Sequence, residues 1–311
     1  RHAMTRAAAQ FEAHVSALEA LVAFSPDHFY LYDRAGRHLY ASPAAAQALG
    51  SQQDDFIGKT WLDLGFAPQV TERFDLERET VFQDGRPWRG EMLLPTELGK
   101  AGTTHDYILS PVYGKDGSVE AVLVTARDIT EQKRMEATLQ YQALHDALTG
   151  LANRTLLHDR LEQSLRAAHR TKVGLALLFL DLVDFKAVND TVGHQVGDDV
   201  LQQLSVRWSG ILRASDTLSR IGGDEFVVLL PATNSAGADE IADRLRSMVD
   251  APFDVHEHRC SISVSIGIIV HEGGQGDATA LIRQADEAMY RSKRHGDTFQ
   301  STMQRTATEK A

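Results

Sequence analysis

Of the 311 residues only one, Cys260, is a cysteine, so no internal disulfide can form and the chain suits a reducing compartment. No apolar run approaches the roughly 20 residues that span a bilayer, and no secretory leader pattern is found. The expected location is cytoplasmic, with no membrane segment in the chain. Positive charge is also scarce: 32 Lys and Arg stand against 43 Asp and Glu, a formal net charge of −11. Such a balance would repel a polyanion, which argues against nucleic acid as a partner. The length suits about two domains.

What is present is concentrated in the second half. Residues 222–226 read Gly-Gly-Asp-Glu-Phe, a pentapeptide that average composition would produce in roughly one chain in 5000 of this length. Strand-like segments flank it, Thr217–Ile221 before and Val227–Leu230 after. The pattern predicts two short strands joined by a tight turn, whose glycines allow positive φ and close approach of another molecule. Asp224 and Glu225 are then held at a hairpin tip with little bulk in front of them. A hard divalent cation beside a phosphate needs that combination of carboxylates and clear backbone. Taken alone, the same residues would also make a solvated turn carrying two charges.

Upstream runs Leu175-Ala176-Leu177-Leu178-Phe179-Leu180, a continuous apolar stretch that predicts a buried central strand. It ends in Asp181-Leu182-Val183-Asp184-Phe185-Lys186, and a helix is expected to follow. Polar groups at the carboxyl end of a buried strand are the usual ligand position in such sheets. Asp181 can add a second carboxylate to a cation shared with Asp224, Lys186 can meet phosphate charge, and the helix start offers free N–H donors. Downstream, the stretch from Asn189 to Asp198 is unusually polar for a helix and carries two glycines. An amide and a carboxylate together can read the Watson–Crick edge and exocyclic amine of guanine. Capping and turn duty would also account for Asn189 and Asp198.

Two further blocks complete the pattern: Asp146-Ala147-Leu148-Thr149-Gly150-Leu151-Ala152-Asn153-Arg154, and Ala285-Asp286-Glu287-Ala288-Met289-Tyr290-Arg291-Ser292-Lys293. With these four blocks in order, the segment from His145 to about Gln300 resembles a GGDEF domain, the family of diguanylate cyclases that condense two GTP into cyclic di-GMP and two pyrophosphate. The resemblance implies a nucleotidyl-cyclase-like fold, a central sheet surrounded by helices, in a chain of α+β and α/β class. It implies Mg²⁺, with Mn²⁺ as an alternative, held by the side chains of Asp181 and Asp224 and the Leu182 carbonyl. Asp224 would also serve as base for the attacking 3′-hydroxyl, and Lys186 would stabilise the transferring phosphoryl group. GTP would be held by Phe185, Asn189, His194, Asp198 and Lys293, the last at the terminal phosphates; Glu225 would be a second acidic group near the metals. The implied chemistry is in-line attack on an α-phosphate, catalysed mainly by positioning and charge neutralisation. Each domain would hold one GTP, so a homodimer is implied.

Arg213-Ala214-Ser215-Asp216 matches the family's inhibitory Arg-x-x-Asp site for cyclic di-GMP, with Arg220 as a further contact. Guanidinium groups suit phosphate oxygens and guanine edges, although the quartet alone would be a surface ion pair. Two positions depart from the family. Val183 stands where a second Asp is common, which implies a modest loss of metal affinity. Arg294-His295-Gly296-Asp297 places an anion where an arginine is usual. If the segment is helical, Asp297 can draw Lys293 away from phosphate, which predicts a raised KM for GTP. Alternatively Asp297 points into solvent and Arg294 takes over the phosphate role.

The first half reads as a different unit. Phe11, Val15, Leu18 and Val22 share one helical face, which predicts an N-terminal helix within residues 1–24. His28 to Tyr40 reads as two strands around a turn, Ser42-Pro43 opens a short helix that Gly50 closes, and 106–113 and 119–125 flank the turn 114–117. This order, ending in Asp128-Ile129-Thr130, resembles a PAS domain over 25–130, an antiparallel sheet with flanking helices. Asp128 and Glu131 have capping-box spacing for a helix running to about Ala147, which makes 131–145 a signalling linker. Met135 and Leu139 give it a sparse seam for helix pairing; a spacer that never pairs is the alternative. The catalytic unit would span 146–300 and a polar tail 301–311. The PAS ligand is unknown: the region holds no cysteine for a flavin adduct, and His28, His38 and His105 are haem-ligand candidates by residue type only. The sequence therefore points to a Mg²⁺-dependent diguanylate cyclase regulated by a PAS domain and by its product. The alternatives are a degenerate domain that binds GTP or cyclic di-GMP without turnover, and the front part of a longer protein with a phosphodiesterase domain.

Overall fold

The structure, a computed structural model, describes residues 16, 17, 19–94 and 102–294, with the Arg294 side chain excepted. Most of the expected N-terminal helix lies outside the described residues; within them, 16, 17 and 19–24 are helical. The polar tail and Asp297 lie outside them too. The chain divides after Ala137 into two compact units.

In the first unit, β1 (His28–Tyr32), β2 (His38–Ala41), β3 (Trp88–Leu94), β4 (Thr103–Tyr113) and β5 (Val119–Asp128) form one antiparallel sheet in the order β2-β1-β5-β4-β3. Helix α1 (Pro43–Ala48) begins as expected, with the Ser42 hydroxyl accepting from the Ala45 N–H at 3.3 Å, and Gly50 leaves it at φ +67°. Helix α2 (Pro68–Asp84) packs Phe74, Val81 and Phe82 into a core with Tyr30, Tyr32, Phe56, Tyr107 and Leu109. It also buries Glu77 and Arg78. Tyr107 donates its hydroxyl to Glu77, while Arg78 pairs with Asp75, so neither charge is left without a partner. Of the three histidines raised by residue type, His28 and His105 are ring neighbours with centroids 5.3 Å apart. His38 instead sits in the aromatic core, its Nδ1 2.6 Å from the Lys59 carbonyl. Burial lowers the pKa of all three, which favours the neutral ring.

Helix α3 (Thr130–Leu144) starts later than expected, and its capping differs. Asp128 still belongs to β5, and its carboxylate accepts from the Thr130 N–H at 2.8 Å, an Asx-type bond. Glu131 pairs forward with Arg134 at 2.8 Å, so the reciprocal box is not formed.

The second unit is built on a four-stranded antiparallel sheet in the order β11-β6-β8-β7, made of β6 (Leu175–Val183), β7 (Thr217–Gly222), β8 (Glu225–Pro231) and β11 (Ser263–His271). Both faces of β6 are covered, which is why its sequence is apolar without alternation. Leu178, Leu180 and Leu182 face α6 (His194–Ser209) and α7 (Ser235–Asp250), in a core that includes Trp208 and Phe226. Leu175, Leu177 and Phe179 face α4 (Arg154–Thr171) and α8 (Ala278–Arg294). Leu177, Leu178 and Leu180 are fully buried, each contributing about 1.5–3 kcal/mol. One short helix, α5 (Phe185–Val192), joins β6 to α6, and the small hairpin β9 (Phe253–Val255) and β10 (His258–Cys260) precedes β11.

Gly267 of β11 sets the seat of α8. A β-carbon there would lie 2.2 Å from the Met289 nitrogen and 2.6 Å from the Ala285 carbonyl oxygen. The helix backbone therefore rests directly on the strand, a closeness that only glycine permits.

Candidate active site

The central strand and the signature hairpin meet where both end. Asp181 is the register partner of Glu225, and the Leu182 N–H donates to the Asp224 carbonyl at 3.2 Å. The turn itself is Gly223-Asp224, with Gly223 at φ +54°, a left-handed conformation that suits glycine. A β-carbon on Gly222 or Gly223 would meet no atom within 4 Å, so the surface beside the two carboxylates is open. The expected hairpin, with its acids at the tip, is present.

Helix α8 delivers the cation. Lys293 donates to Asp181 Oδ2 at 2.6 Å, and Asp181 is only 7% exposed. That bond, reinforced by the charges of Asp181, Asp224 and Glu225, raises the Lys293 pKa against the opposing effect of burial. Burial pushes the Glu225 carboxyl up, and the negative charges of Asp286, Asp181 and Asp224 push it further, with Arg154 opposing. Four carboxylates thus share one region with Lys293 and Arg154, and the site carries excess negative charge. Asp286 was not singled out in sequence; it lies in the same block as Lys293, seven positions earlier, hence on the same helical face.

Among the described residues, no group of three or more His, Cys, Asp or Glu side chains is arranged to hold a metal ion. The expected set is smaller, two carboxylates and the Leu182 carbonyl. It fits Mg²⁺, which is usually held by one or two carboxylates with substrate phosphates and water completing the shell. The excess charge around Glu225 is the observation that such a cation would relieve.

The expected base pocket lies on α5 and α6. Phe185 is buried, Asn189 and Asp198 are half-buried, and Lys186 and His194 are exposed. Phe185 and Asn189 converge on Gly197, the neighbour of Asp198. Gly193, at φ +92°, separates the two helices and lets the chain turn between them. Val183 is the last residue of β6, paired with Ser263.

Arg213 and Asp216 line a cavity of about 700 Å³, and the Arg213 N–H donates to Asp216 at 2.9 Å. Arg244 lines the same cavity and was not anticipated; it comes from α7, well along the chain. Leu230 also borders this space, whereas Glu225 begins β8. Five residues of strand put the cavity roughly 17 Å from the hairpin tip.

Arg220 is engaged differently from the expectation that it joins Arg213. Its Nε and Nη2 donate to the Gly223 carbonyl at 2.9 and 2.8 Å, and Nη1 to Asp146 Oδ1 at 3.0 Å. Register explains this: Arg220 sits next to the turn of the hairpin, while Asp216 precedes the other end of β7. Asp146 also accepts from the Thr149 N–H and hydroxyl, and the Arg220 N–H donates to the Ala152 carbonyl at 3.0 Å. The turn 146–150 is tied in the same way to the last part of α3. Tyr141 stacks on His145 at 3.9 Å, and its hydroxyl donates to the Gly150 carbonyl at 3.3 Å.

Comparison with known proteins places this geometry among relatives. The family described as diguanylate cyclase, GGDEF domain, matches residues 143–298, and the PAS fold matches residues 23–134. The probable diguanylate cyclase DgcE of Escherichia coli is 34% identical over 273 residues, 85% of this chain and 24% of that protein. The cyclic di-GMP phosphodiesterase PdeR of the same organism is 32% identical over 248 residues, 79% of this chain and 37% of that protein. The chain thus spans about a quarter to two fifths of the length of these relatives. The solved coiled coil and GGDEF domain of DgcB from Caulobacter crescentus, in complex with c-di-GMP, superposes with a TM-score of 0.52 at 26% identity. It covers 57% of this chain and 93% of that one.

Proposed function

Because the chain belongs to the GGDEF diguanylate cyclase family and carries a PAS fold ahead of that domain, we propose that it is a working cyclase that condenses two GTP into cyclic di-GMP. The observation that carries this reading is the joining of Asp181 and Asp224 at one strand end, beside open glycines and under Lys293.

Asp181, Asp224 and the Leu182 carbonyl would hold Mg²⁺, which supplies charge neutralisation on the phosphates when bound. Asp224 accepts the proton of the attacking 3′-hydroxyl. Lys186 faces the phosphoryl group in transfer, and Lys293 exchanges Asp181 for the terminal phosphates. Asn189 and Asp198 read the guanine edge, with Phe185 and His194 lining the pocket. Each unit holds one GTP, so two chains must face each other. Met135 and Leu139, 62% and 65% exposed on α3, supply the pairing seam. Arg213 and Asp216 bind the product and Arg244 borders the same cavity. The sensory unit is assigned to 25–130, the linker to 131–145 and the catalytic unit to 146–300. The GTP requirement assigns the chain to the cytoplasm.

A second reading is a binding module without turnover; the likeness to PdeR, named a cyclic di-GMP phosphodiesterase, also fits the front part of a longer protein with a phosphodiesterase domain. Incubation of the full chain with GTP and Mg²⁺, followed by chromatography of the products, separates the two. Cyclic di-GMP and pyrophosphate are expected; unreacted GTP in both dimer and monomer fractions would overturn the cyclase reading in favour of the binding module.

A further inference from the structure

Asn189 and Gly197 belong to different helices, yet a β-carbon built on Gly197 would lie 1.9 Å from Asn189 Oδ1. The same β-carbon would lie 3.0 Å from Asn189 Cγ and 3.3 Å from Phe185 Cζ. Gly197 is buried and is not among the residues with positive φ, so its backbone conformation is open to any residue. Glycine is also a poor choice inside a helix. The obstacle to a side chain is therefore neither dihedral strain nor a neighbouring backbone. Gly267 offers the contrast, because its β-carbon would strike main-chain atoms of α8. At Gly197 the obstacle is the free end of one polar side chain and the edge of one ring.

We propose that Gly197 is a positioning residue that sets base specificity: its missing β-carbon is the seat on which the Asn189 carboxamide lies. This rests on the reading that Asn189 and Asp198 recognise guanine. Asn189 laid against Gly197 is held next to Asp198, the following residue in the chain. Amide and carboxylate are thus presented as a pair to one base edge, with Phe185 closing the side. A methyl group at 197 turns the carboxamide out of this seat, since a side-chain terminus yields more readily than a helix. The penalty falls on guanine recognition and leaves the fold unharmed. Because glycine is replaced by a better helix former, stability should hold or rise while affinity falls. Those opposite signs separate positioning from a structural role.

The test uses the full chain as wild type, Gly197→Ala, Asn189→Ala and the double variant. Affinity is measured calorimetrically with Mg²⁺ and guanosine 5′-(α,β-methylene)triphosphate, which cannot react at the α-phosphate, and with the adenosine counterpart. Gly197→Ala should weaken the guanosine ligand by ~10-fold or more, the loss of about one recognition hydrogen bond, and narrow the preference over adenosine by the same factor. Its melting temperature should equal or exceed that of the wild type. The double variant should bind no more weakly than Asn189→Ala alone, because both changes remove one interaction. Additive losses, wild-type affinity in Gly197→Ala, or a lowered melting temperature would overturn the proposal. If Asn189→Ala itself binds as wild type does, the guanine reading fails first and takes the proposal with it.

Discussion

Arg220→Ala removes two hydrogen bonds to the turn of its own hairpin and the one that ties that hairpin to the turn after α3. The side chains of Arg220 and Asp146 are only 11% and 23% exposed, so their pairing is shielded in a way that surface pairs are not. Bonds to a charged group are worth about 1.5–3 kcal/mol each, but the Gly223 carbonyl lies at an open turn and water can replace its donors. Asp146 also keeps its two bonds from Thr149. We therefore expect a net destabilisation of about 2–3 kcal/mol in urea unfolding. Loss of positioning at the tip should lower kcat by ~10–100-fold. Product inhibition should keep its midpoint, because Arg213 lies at the other end of the sheet. The effect should also depend on pH. Burial pushes the Asp146 carboxyl up, but its bonds from Thr149 and Arg220 outweigh that and hold it below its usual value. A depressed carboxyl stabilises the fold above its unfolded pKa, and that contribution is lost as pH falls through the folded value. The stability difference between wild type and Arg220→Ala should thus shrink below a pH of about 4. Unchanged stability and kcat would refute the clamp. Relieved product inhibition would return Arg220 to the product site.

Further outcomes follow from other parts of the site. Asp224→Asn and Asp181→Asn, isosteric but lacking a ligand charge, should each lower turnover at least ~100-fold; near-normal activity in either would show that the site is misassigned. Arg213→Ala should raise the cyclic di-GMP concentration needed for half inhibition without changing the uninhibited rate, and superimposable inhibition curves would remove that cavity from the account. Gly267→Ala should force α8 back by about 1.2 Å, from 2.2 Å to an ordinary 3.4 Å contact, costing about 1–3 kcal/mol and displacing Lys293. A raised KM for GTP beside the lost stability would fit, and a variant matching the wild type in both would not.

The parts legible in sequence were those whose signal is local. The apolar run of β6 reads directly because both faces are covered, and the acidic hairpin reads because its turn residues are adjacent. The partnerships across the chain were not legible. Arg220 meets Asp146 across 74 positions, and nothing near either residue distinguishes a clamp from a product contact. Gly267 looks like an ordinary strand glycine until α8 is laid upon it. Arg244 reaches the Arg213 cavity only through the packing of α7. Helix α2 gave little warning because Glu77 and Arg78 occupy buried positions, which blurs its apolar face. The capping box failed for a related reason: its first residue was already committed to a strand.

Strand β6 has a mechanical consequence. Eight of its nine residues are buried, and it is hydrogen-bonded to β11 on one side and β8 on the other. The Asp181 tip and the Arg213 cavity are therefore opposite ends of a stiff plate. A ligand at one end cannot bend the other without breaking ladder bonds inside a close-packed core. Any message between them has to travel as movement or restraint of the whole plate, on the microsecond-to-millisecond scale of domain motion. Product held near Arg213 would leave the distances within the tip as they are and change how often two tips meet. Product inhibition of the kind proposed would then act on encounter between two tips and would leave the proposed chemistry at each tip intact.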